Sequence, residues 1–367
     1  HDVDPLPNGN VLMIAWEKKT ETEAYAAGRT TINNPLNQMW SEAIFEIQSD
    51  GDGGGEVVWA WHLWDHLIQD ADSGDENYGI VSDHPELFDI NNGNAGSSGG
   101  PGGATGDWMH INAVSYNAEF DQIVISSRFQ DEIYVIDHST TTEEAASHSG
   151  GNSGNGGDFL YRWGNPQNYD RGNNSDHLIG SQHSVNWIKN EYPGGGDIIL
   201  FNNRTEEMGS EIVQLRIPVN DFTYELTEIT AHGPQSPIWN YEDGSFFSNI
   251  QSGAFRLENG NTLISIGNTS TFFEIDSVGQ EVWNYTFTGP SGQNFNGNIA
   301  RAQKYAPEYL ELLLIGDLNS DSIIDILDVV LMINIILDGD GIYDYLYIAD
   351  LNGDFNIDII DIILRME

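Results

Sequence analysis

The stretch HINAVSYNAEFDQIVISSR (110–128) contains the pattern that decides the fold of this 367-residue chain. A histidine precedes a short alternating segment, a turn follows at NAEF, and a β-branched run then ends at an arginine. Alternating β-branched and aromatic residues, bounded by Gly, Asn, Asp and Pro, indicate strands rather than helices. The same order recurs in HSVNWIKNEYPGGGDIILFNNR (183–204) and in HDVDPLPNGNVLMIAW, which begins at His1.

A fourth copy, SGAFRLENGNTLISIG, has Ser252 at the histidine position, or Gln251 if one gap is allowed. Each copy continues into a third strand and then a closing strand that carries tryptophan. Four-stranded units of this kind are typical of β-propeller blades, whereas a β-sandwich is the simpler alternative. The sequence predicts an all-β propeller over residues 1–310, with a partial fifth unit at 297–305. The four units are predicted to begin near residues 1, 110, 183 and 252.

The composition limits the environment and the partners. Fifty-seven acidic residues against 13 Lys and Arg give a formal charge of −44, which repels nucleic acid and anionic membranes. The chain has no cysteine, and its longest apolar run, 326–337, is too short to span a bilayer. We therefore expect a secreted, extracellular or cell-surface protein with no nucleic-acid partner and no membrane span. Because His1 would already lie in an inner strand, we also expect upstream sequence, completion by another chain, or both.

The pattern changes at residues 316–367, where two acidic loops 33 residues apart each lead into an apolar helix. Calcium takes six to eight oxygen ligands, and alternating positions of a twelve-residue loop can direct several of them at one ion. The spacing predicts two structural calcium sites. The expected ligands, at loop positions one, three, five, seven and twelve, are Asp317, Asn319, Asp321, Ile323 and Asp328, then Asp350, Asn352, Asp354, Asn356 and Asp361.

This duplicated segment resembles a type I dockerin, a small α-helical module built from two calcium loops. The resemblance implies a cohesin-like partner. Ser322 and Phe355 replace the usual glycine at position six, and positions ten and eleven are the apolar pairs 326–327 and 359–360. Apolar residues there favour packing against the propeller or self-assembly with a neighbouring chain.

Three histidines brought around one axis have few chemical uses. They could bind zinc, hold a tetrahedral oxyanion together with an arginine, or supply an imidazole nucleophile. Arg128 and Arg204 end the equivalent strands of two units. A nearby guanidinium disfavours a second cation, so these arginines favour oxyanion chemistry over zinc.

Several segments resemble arylsulfotransferases: HDVDPLPNGNVLMIAWE, EVVWAWHLWDHL, DWMHINAVSYNAEFDQIVISSR, EIYVIDHSTTTEEA, LYRWGNPQNY and QHSVNWI. The resemblance covers about residues 1–300. It implies a six-bladed propeller that moves a sulfuryl group from an aryl sulfate to a phenol by a ping-pong route, with no nucleotide donor, metal or other cofactor in the chemistry. The family's site histidines fall on His1 and His110, its arginine falls on Arg128, and the histidine that becomes sulfurylated falls on His183.

In this interpretation Arg128 holds the sulfuryl oxygens, His1 and His110 donate hydrogen bonds, and a neutral His183 attacks sulfur. Trp108, Phe129 and Trp187 are candidates for the phenol site. Two alternatives remain open: a non-enzymatic, calcium-stabilised propeller acting as a filament subunit, and a metal-dependent hydrolase or lyase. The other histidines are expected to be structural: His62, His66, His84, His138, His148, His177 and His232.

Overall fold

The computed structural model describes residues 2–51, 53–97, 103–204, 208–224, 231–288, 299–305, 316–319, 323–338, 348–351 and 357–366. Two compact units are present. One consists of residues 1–48 and 57–303, and the other of residues 49–56 and 304–367.

The larger unit contains four antiparallel four-stranded sheets in the part of the chain that the structure describes. Each sheet is formed by strands that follow one another along the chain, and the third sheet also has a two-strand hairpin inserted before its last strand. The first sheet consists of β1 (Val3–Pro5), β2 (Val11–Thr20), β3 (Gln38–Ser49) and β4 (Gly55–His62). After a short parallel pair, β5 (Leu67–Ile68) and β6 (Phe88–Asp89), the second consists of β7 (Ile111–Asn117), β8 (Gln122–Ser127), β9 (Glu132–Asp137) and β10 (Tyr161–Trp163).

The third and fourth sheets repeat this order. The third has β11 (His183–Trp187), β12 (Ile198–Asn202), β13 (Glu211–Leu215) and β16 (Trp239–Tyr241), with the hairpin β14 (Val219–Asn220) and β15 (Thr223–Tyr224). The fourth has β17 (Gly253–Arg256), β18 (Thr262–Ile266), β19 (Thr271–Ile275) and β20 (Glu281–Thr286). Two short helices, α1 (Glu21–Ala26) and α2 (Thr142–Ala145), each begin with a threonine capping box.

Each hydrophobic core lies between neighbouring sheets. Ile123 and Ile125 of β8 face the first sheet, while Val124 between them faces the third. Ile198 and Ile199 of β12 likewise belong to different cores. Because both faces of the middle strands are buried, their sequences are continuous apolar runs. This packing explains why DQIVIS and DIILFN contain so few charged residues.

The first strands of the four sheets are neighbours, and side chains join them. Asp2 and Asp4 accept hydrogen bonds from the backbone N–H groups of Val114 (3.2 Å) and Tyr116 (2.8 Å) on β7. Arg301 donates to Asp2 at 2.7 Å, so residues near 300 lie beside the start of the chain. Residues 299–305 contain no strand, and the partial fifth unit is therefore absent from the described part of 297–305.

The smaller unit contains helices α3 (Ile326–Asp338) and α4 (Ile359–Met366). Both begin at position ten of the predicted loops, where Asp325 and Asp358 accept hydrogen bonds from the N–H groups of Leu327 and Ile360 at 2.7 Å. A small apolar core joins the helices through Leu318, Met332, Ile335, Ile348, Ala349, Ile357 and Ile362.

The prediction of a mostly β chain made of four-stranded, propeller-like sheets is confirmed. The tryptophans expected on closing strands lie on β4, β10, β16 and β20. Six blades, and a calcium-binding tail, stay predictions. Within the described ranges no helix is long and apolar enough to cross a membrane.

Candidate active site

His183 opens strand β11 and is only 4% exposed. Its Nδ1 atom lies 2.9 Å from both the Ser181 carbonyl oxygen and the Asn203 side-chain oxygen. Asn203 donates its own amide N–H to the Ser248 carbonyl at 2.7 Å, which fixes the orientation of its side chain. Both neighbours of Nδ1 are therefore acceptors, and Nδ1 carries the proton. The Nε2 lone pair accepts the backbone N–H of Gln251 at 3.2 Å.

The electrostatic environment keeps this imidazole neutral. Burial is the largest cause that lowers the pKa of His183 to about 4; the nearby charges of Arg128 and His110 act in the same direction, and the hydrogen bond to Asn203 opposes them. A neutral ring with its proton on Nδ1 has its nucleophilic lone pair on Nε2. His183 is thus in the protonation state that nucleophilic attack requires at neutral pH.

His110 precedes strand β7 and has a φ of 52°, a conformation uncommon for a residue with a side chain. Its Nδ1 lies 2.5 Å from the Asp107 carboxylate, whose other oxygen accepts the His110 backbone N–H at 3.1 Å. The ring of Phe129 lies 4.9 Å away, centroid to centroid, tilted by 32°. Asp107 and Phe129 together fix the orientation of the imidazole.

Arg128 follows strand β8, and its backbone N–H donates to the His110 carbonyl at 3.1 Å. Its guanidinium lies 5.8 Å from the centre of the Phe129 ring, and Nη2 donates to the Asn249 carbonyl at 3.3 Å. The Nε atom is buried and has no hydrogen-bond partner among the residues that the structure describes. A buried N–H donor without a partner is destabilising, and an acceptor such as an oxyanion would relieve that cost.

The structure brings His110, Arg128 and His183 into one region, close enough for their charges to interact. His1 lies outside the described residues. Arg204 forms ion pairs with Glu211 and Glu242 of its own sheet, so its charge is already neutralised there.

Sequence reasoning missed the residues that hold these rings. Asp107 precedes His110 by three residues and Asn203 precedes Arg204, but neither belongs to a repeated motif. The three aromatic candidates for the phenol site lie in different places. Phe129 lies against His110, whereas Trp108 is fully buried and donates to the Asn92 carbonyl at 2.7 Å, which makes it a core residue. Trp187 lies at the far end of strand β11 from His183.

The tail loops share one arrangement around their last acidic residue. Asp328 accepts backbone N–H groups of Leu318 and Asp325, both at 2.8 Å. Asp361 does the same with Leu351 and Asp358 at 2.8 Å. The carboxylate at position twelve thereby closes each loop. Of the other expected ligands, Asp317, Asn319, Ile323 and Asp350 are described, while Asp321, Asn352, Asp354 and Asn356 lie outside the described residues.

The oxygen-rich donor set of these loops fits calcium. The apolar pairs at positions ten and eleven remain exposed: 67% and 54% for Ile326 and Leu327, 62% and 47% for Ile359 and Ile360.

The sequence of the larger unit matches a known protein family. A sequence model of the arylsulfotransferase (ASST) family matches residues 1–293, which is most of the chain. The chain belongs to the arylsulfotransferase family. No curated protein sequence is significantly similar to the chain.

Solved structures resemble this arylsulfotransferase-family chain only distantly. A protein of unknown function from Bacteroides caccae has a TM-score of 0.35 at 15% identity, over 77% of this chain and 65% of that one. Virginiamycin B lyase from Staphylococcus aureus has a TM-score of 0.31 at 9% identity, over 76% and 62%. The chain thus spans less than two thirds of the length of either protein. At these TM-scores neither likeness bears on function.

Proposed function

We propose that this chain transfers a sulfuryl group from an aryl sulfate to a phenolic acceptor through a covalent sulfo-histidine at His183. The observation that carries the proposal is a buried, neutral imidazole with its lone pair on Nε2, near enough to Arg128 and His110 for them to lower its pKa. The family match supports the same chemistry.

In the first half-reaction, Nε2 of His183 forms a bond to sulfur while the bond from sulfur to the aryl oxygen breaks. The departing phenolate takes a proton from the Nε2–H of protonated His110, whose Nδ1–H is held by Asp107 at 2.5 Å. The His183 ring becomes an N-sulfo-imidazolium. Its Nδ1–H faces the oxygens of Ser181 and Asn203, which stabilise the positive charge that develops.

In the second half-reaction, the acceptor phenol gives its proton to His110 and its oxygen attacks sulfur. The N–S bond breaks, and its electron pair returns to Nε2 of His183. Atoms and charges then balance, since His110 is protonated again and an aryl sulfate leaves. Phe129, half exposed beside His110, offers an apolar face to the phenol ring.

Arg128 and one backbone amide would hold the sulfuryl oxygens. Sulfuryl transfer spreads charge over three equatorial oxygens, so fixed donors contribute most of the stabilisation. The Nε of Arg128 is one such donor. The N–H of Gln251 is a second, because its 3.2 Å contact to Nε2 of His183 must open before attack and can then turn to a sulfuryl oxygen. His1 is proposed as a further donor from the family resemblance alone.

For the tail, residues 316–367, we propose a dockerin-like calcium-binding module on a secreted protein. The repeated closure of the two loops by Asp328 and Asp361, together with the chain's excess of acidic residues, supports bound calcium. The exposed apolar pairs support an interaction with a cohesin-like protein or another copy.

A two-substrate assay tests the enzymatic proposal. Aryl sulfate turnover should require a phenol acceptor and follow ping-pong kinetics, and His183→Ala should lower kcat/KM by at least ~10³-fold because it removes the nucleophile. His84→Ala, which changes an exposed histidine outside the site, should retain activity. A fully active His183→Ala protein would overturn the assignment. Activity lost to a chelator and restored by zinc, with hydrolysis of the aryl sulfate in place of transfer to the phenol, would favour a metal-dependent hydrolase instead.

A further inference from the structure

A second group of metal-ligating side chains lies outside the site described above. His66 follows the short turn after strand β4, whereas His148 and Asp158 belong to the loop that joins β9 to β10. Nδ1 of His66 lies 2.7 Å from Oδ1 of Asp158, and Nδ1 of His148 lies 2.8 Å from the same oxygen. One donor atom from each residue falls within 4.8 Å of the others. The proposed sulfuryl transfer uses none of them.

The hydrogen bonds of a neutral His66 leave no proton between its Nδ1 atom and the Asp158 carboxylate. His66 is fully buried, and its Nε2 lies 2.8 Å from the carbonyl oxygen of Ala145. A carbonyl only accepts, so Nε2 must carry a proton. In a neutral ring Nδ1 then has a lone pair, which faces the lone pairs of the Asp158 carboxylate. The contact becomes favourable only if a proton or a cation lies between the two atoms.

The surroundings match those of a bound transition metal. A histidine that ligates a metal through one nitrogen almost always donates its other N–H to a carbonyl or carboxylate, as Nε2 of His66 does to Ala145. The Trp61 ring stacks on His66 at 5.7 Å and 6°, and its N–H donates to the Gly157 carbonyl at 2.7 Å. These contacts hold His66 and the loop beside Asp158 in fixed positions.

The open side of the group allows access for an ion. The His148 side chain is 62% exposed and also lines a cavity of about 460 Å³. Two imidazoles and one carboxylate from the protein, with a fourth position open to water, are a ligand set that zinc takes in proteins. Tetrahedral zinc with bonds of about 2.0–2.2 Å needs donor atoms roughly 3.3 Å apart, so Oδ1 of Asp158 and each histidine Nδ1 must separate by about half an ångström.

We propose that His66, His148 and Asp158 form a zinc site that ties the β9–β10 loop to the turn after β4. Nδ1 of both histidines and Oδ1 of Asp158 are the ligands, and water occupies the fourth position. The two imidazoles distinguish this site from the tail loops, whose oxygen ligands suit calcium. The proposal does not depend on the sulfotransferase activity, because no ligand belongs to that site.

Metal titration of the full chain tests the site. The protein is treated with a chelator, returned to buffer with millimolar calcium to occupy the acidic surface and the tail, and titrated with Co²⁺ or Zn²⁺. We expect one Co²⁺ per chain with the intense visible absorption of a tetrahedral site, and stoichiometric displacement by zinc. Because ligands must lose their protons to bind a metal, acidification should weaken binding.

His148→Ala is the decisive variant, since it removes a ligand from an exposed position without opening the core. The affinity of this variant for zinc should fall at least ~10–100-fold, because even the loss of a residue that only supports a ligand lowers affinity by that factor. The cobalt absorption band should disappear. The matched control is His84→Ala, another exposed histidine lining the same cavity, and it should bind like the unchanged protein. Absence of stoichiometric binding, or equal binding by His148→Ala, would show that the three side chains form only a hydrogen-bonded group.

Discussion

At His183, burial and hydrogen bonding act on the imidazole in opposite directions. Removal from water disfavours the charged ring, and Arg128 and His110 add repulsion, while the oxygens of Ser181 and Asn203 favour a proton on Nδ1. Burial dominates, and the ring stays neutral. Once Nε2 carries a sulfuryl group, the same two oxygens face a cation.

This balance predicts how His183 titrates. With its pKa at about 4, against 6.5 for an ordinary histidine, the ring should remain neutral down to about pH 5 and gain its proton only near pH 4. NMR of protein with ¹⁵N-labelled histidine measures this midpoint, and His183→Ala identifies the signal. His177 is an internal contrast because its hydrogen bond to Asp131 raises its pKa. A His183 midpoint between 6 and 7 would contradict the burial argument.

The protonation of His183 also makes the free energy of unfolding depend on pH. Between pH 6.5 and about 4 the unfolded chain binds a proton at this histidine while the folded chain does not, so this group lowers the free energy of unfolding as the pH falls. Above pH 6.5 both states are neutral and the effect vanishes.

The first strands of the second and third sheets, β7 and β11, each have an irregular hydrogen-bond register beside the site residues. The pairing of β7 with β8 shifts between Ile111 and Ala113, and that of β11 with β12 shifts between His183 and Asn186. Positive φ values at His110 (52°) and Ser184 (54°) accompany these bulges. Bulges redirect side chains next to functional sites, and here they lie beside both catalytic candidates.

We expect calcium to stabilise the two loop-and-helix elements of the tail. Full-length protein should bind two calcium ions in isothermal titration, and Asp361→Ala should bind one because its loop loses the closing carboxylate. At a calcium concentration a hundred times Kd, each site would add about 2.7 kcal/mol to the unfolding free energy. Glu191→Gln removes one exposed charge outside the tail and should still bind two ions. Equal stoichiometry in Asp361→Ala would refute the loop assignment.

For the whole molecule, the repeat in the sequence predicted the start of each four-stranded sheet that the structure describes. Units expected near residues 1, 110, 183 and 252 begin at Val3, Ile111, His183 and Gly253. This succeeded because strands buried on both faces leave continuous apolar runs between turn residues. The same repeat placed His110 and His183 at equivalent positions, which brought them together in the structure.

Other features of the molecule had no local signal. Asp107 and Asn203 act through hydrogen bonds that depend on turns of the backbone, and no spacing rule marks them. His66 and Asp158 are 92 residues apart, so only the folded chain shows that they meet. The third-sheet hairpin Val219–Tyr224 also carries no repeat pattern.

The sulfo-histidine is tested by the mass of the protein after reaction with an aryl sulfate in the absence of acceptor. We expect one added sulfuryl group per chain, located by peptide mapping at neutral pH on His183, and removed when a phenol is supplied. His183→Ala should show no added mass. Turnover without any adduct, or an adduct on a residue other than His183, would contradict the central claim.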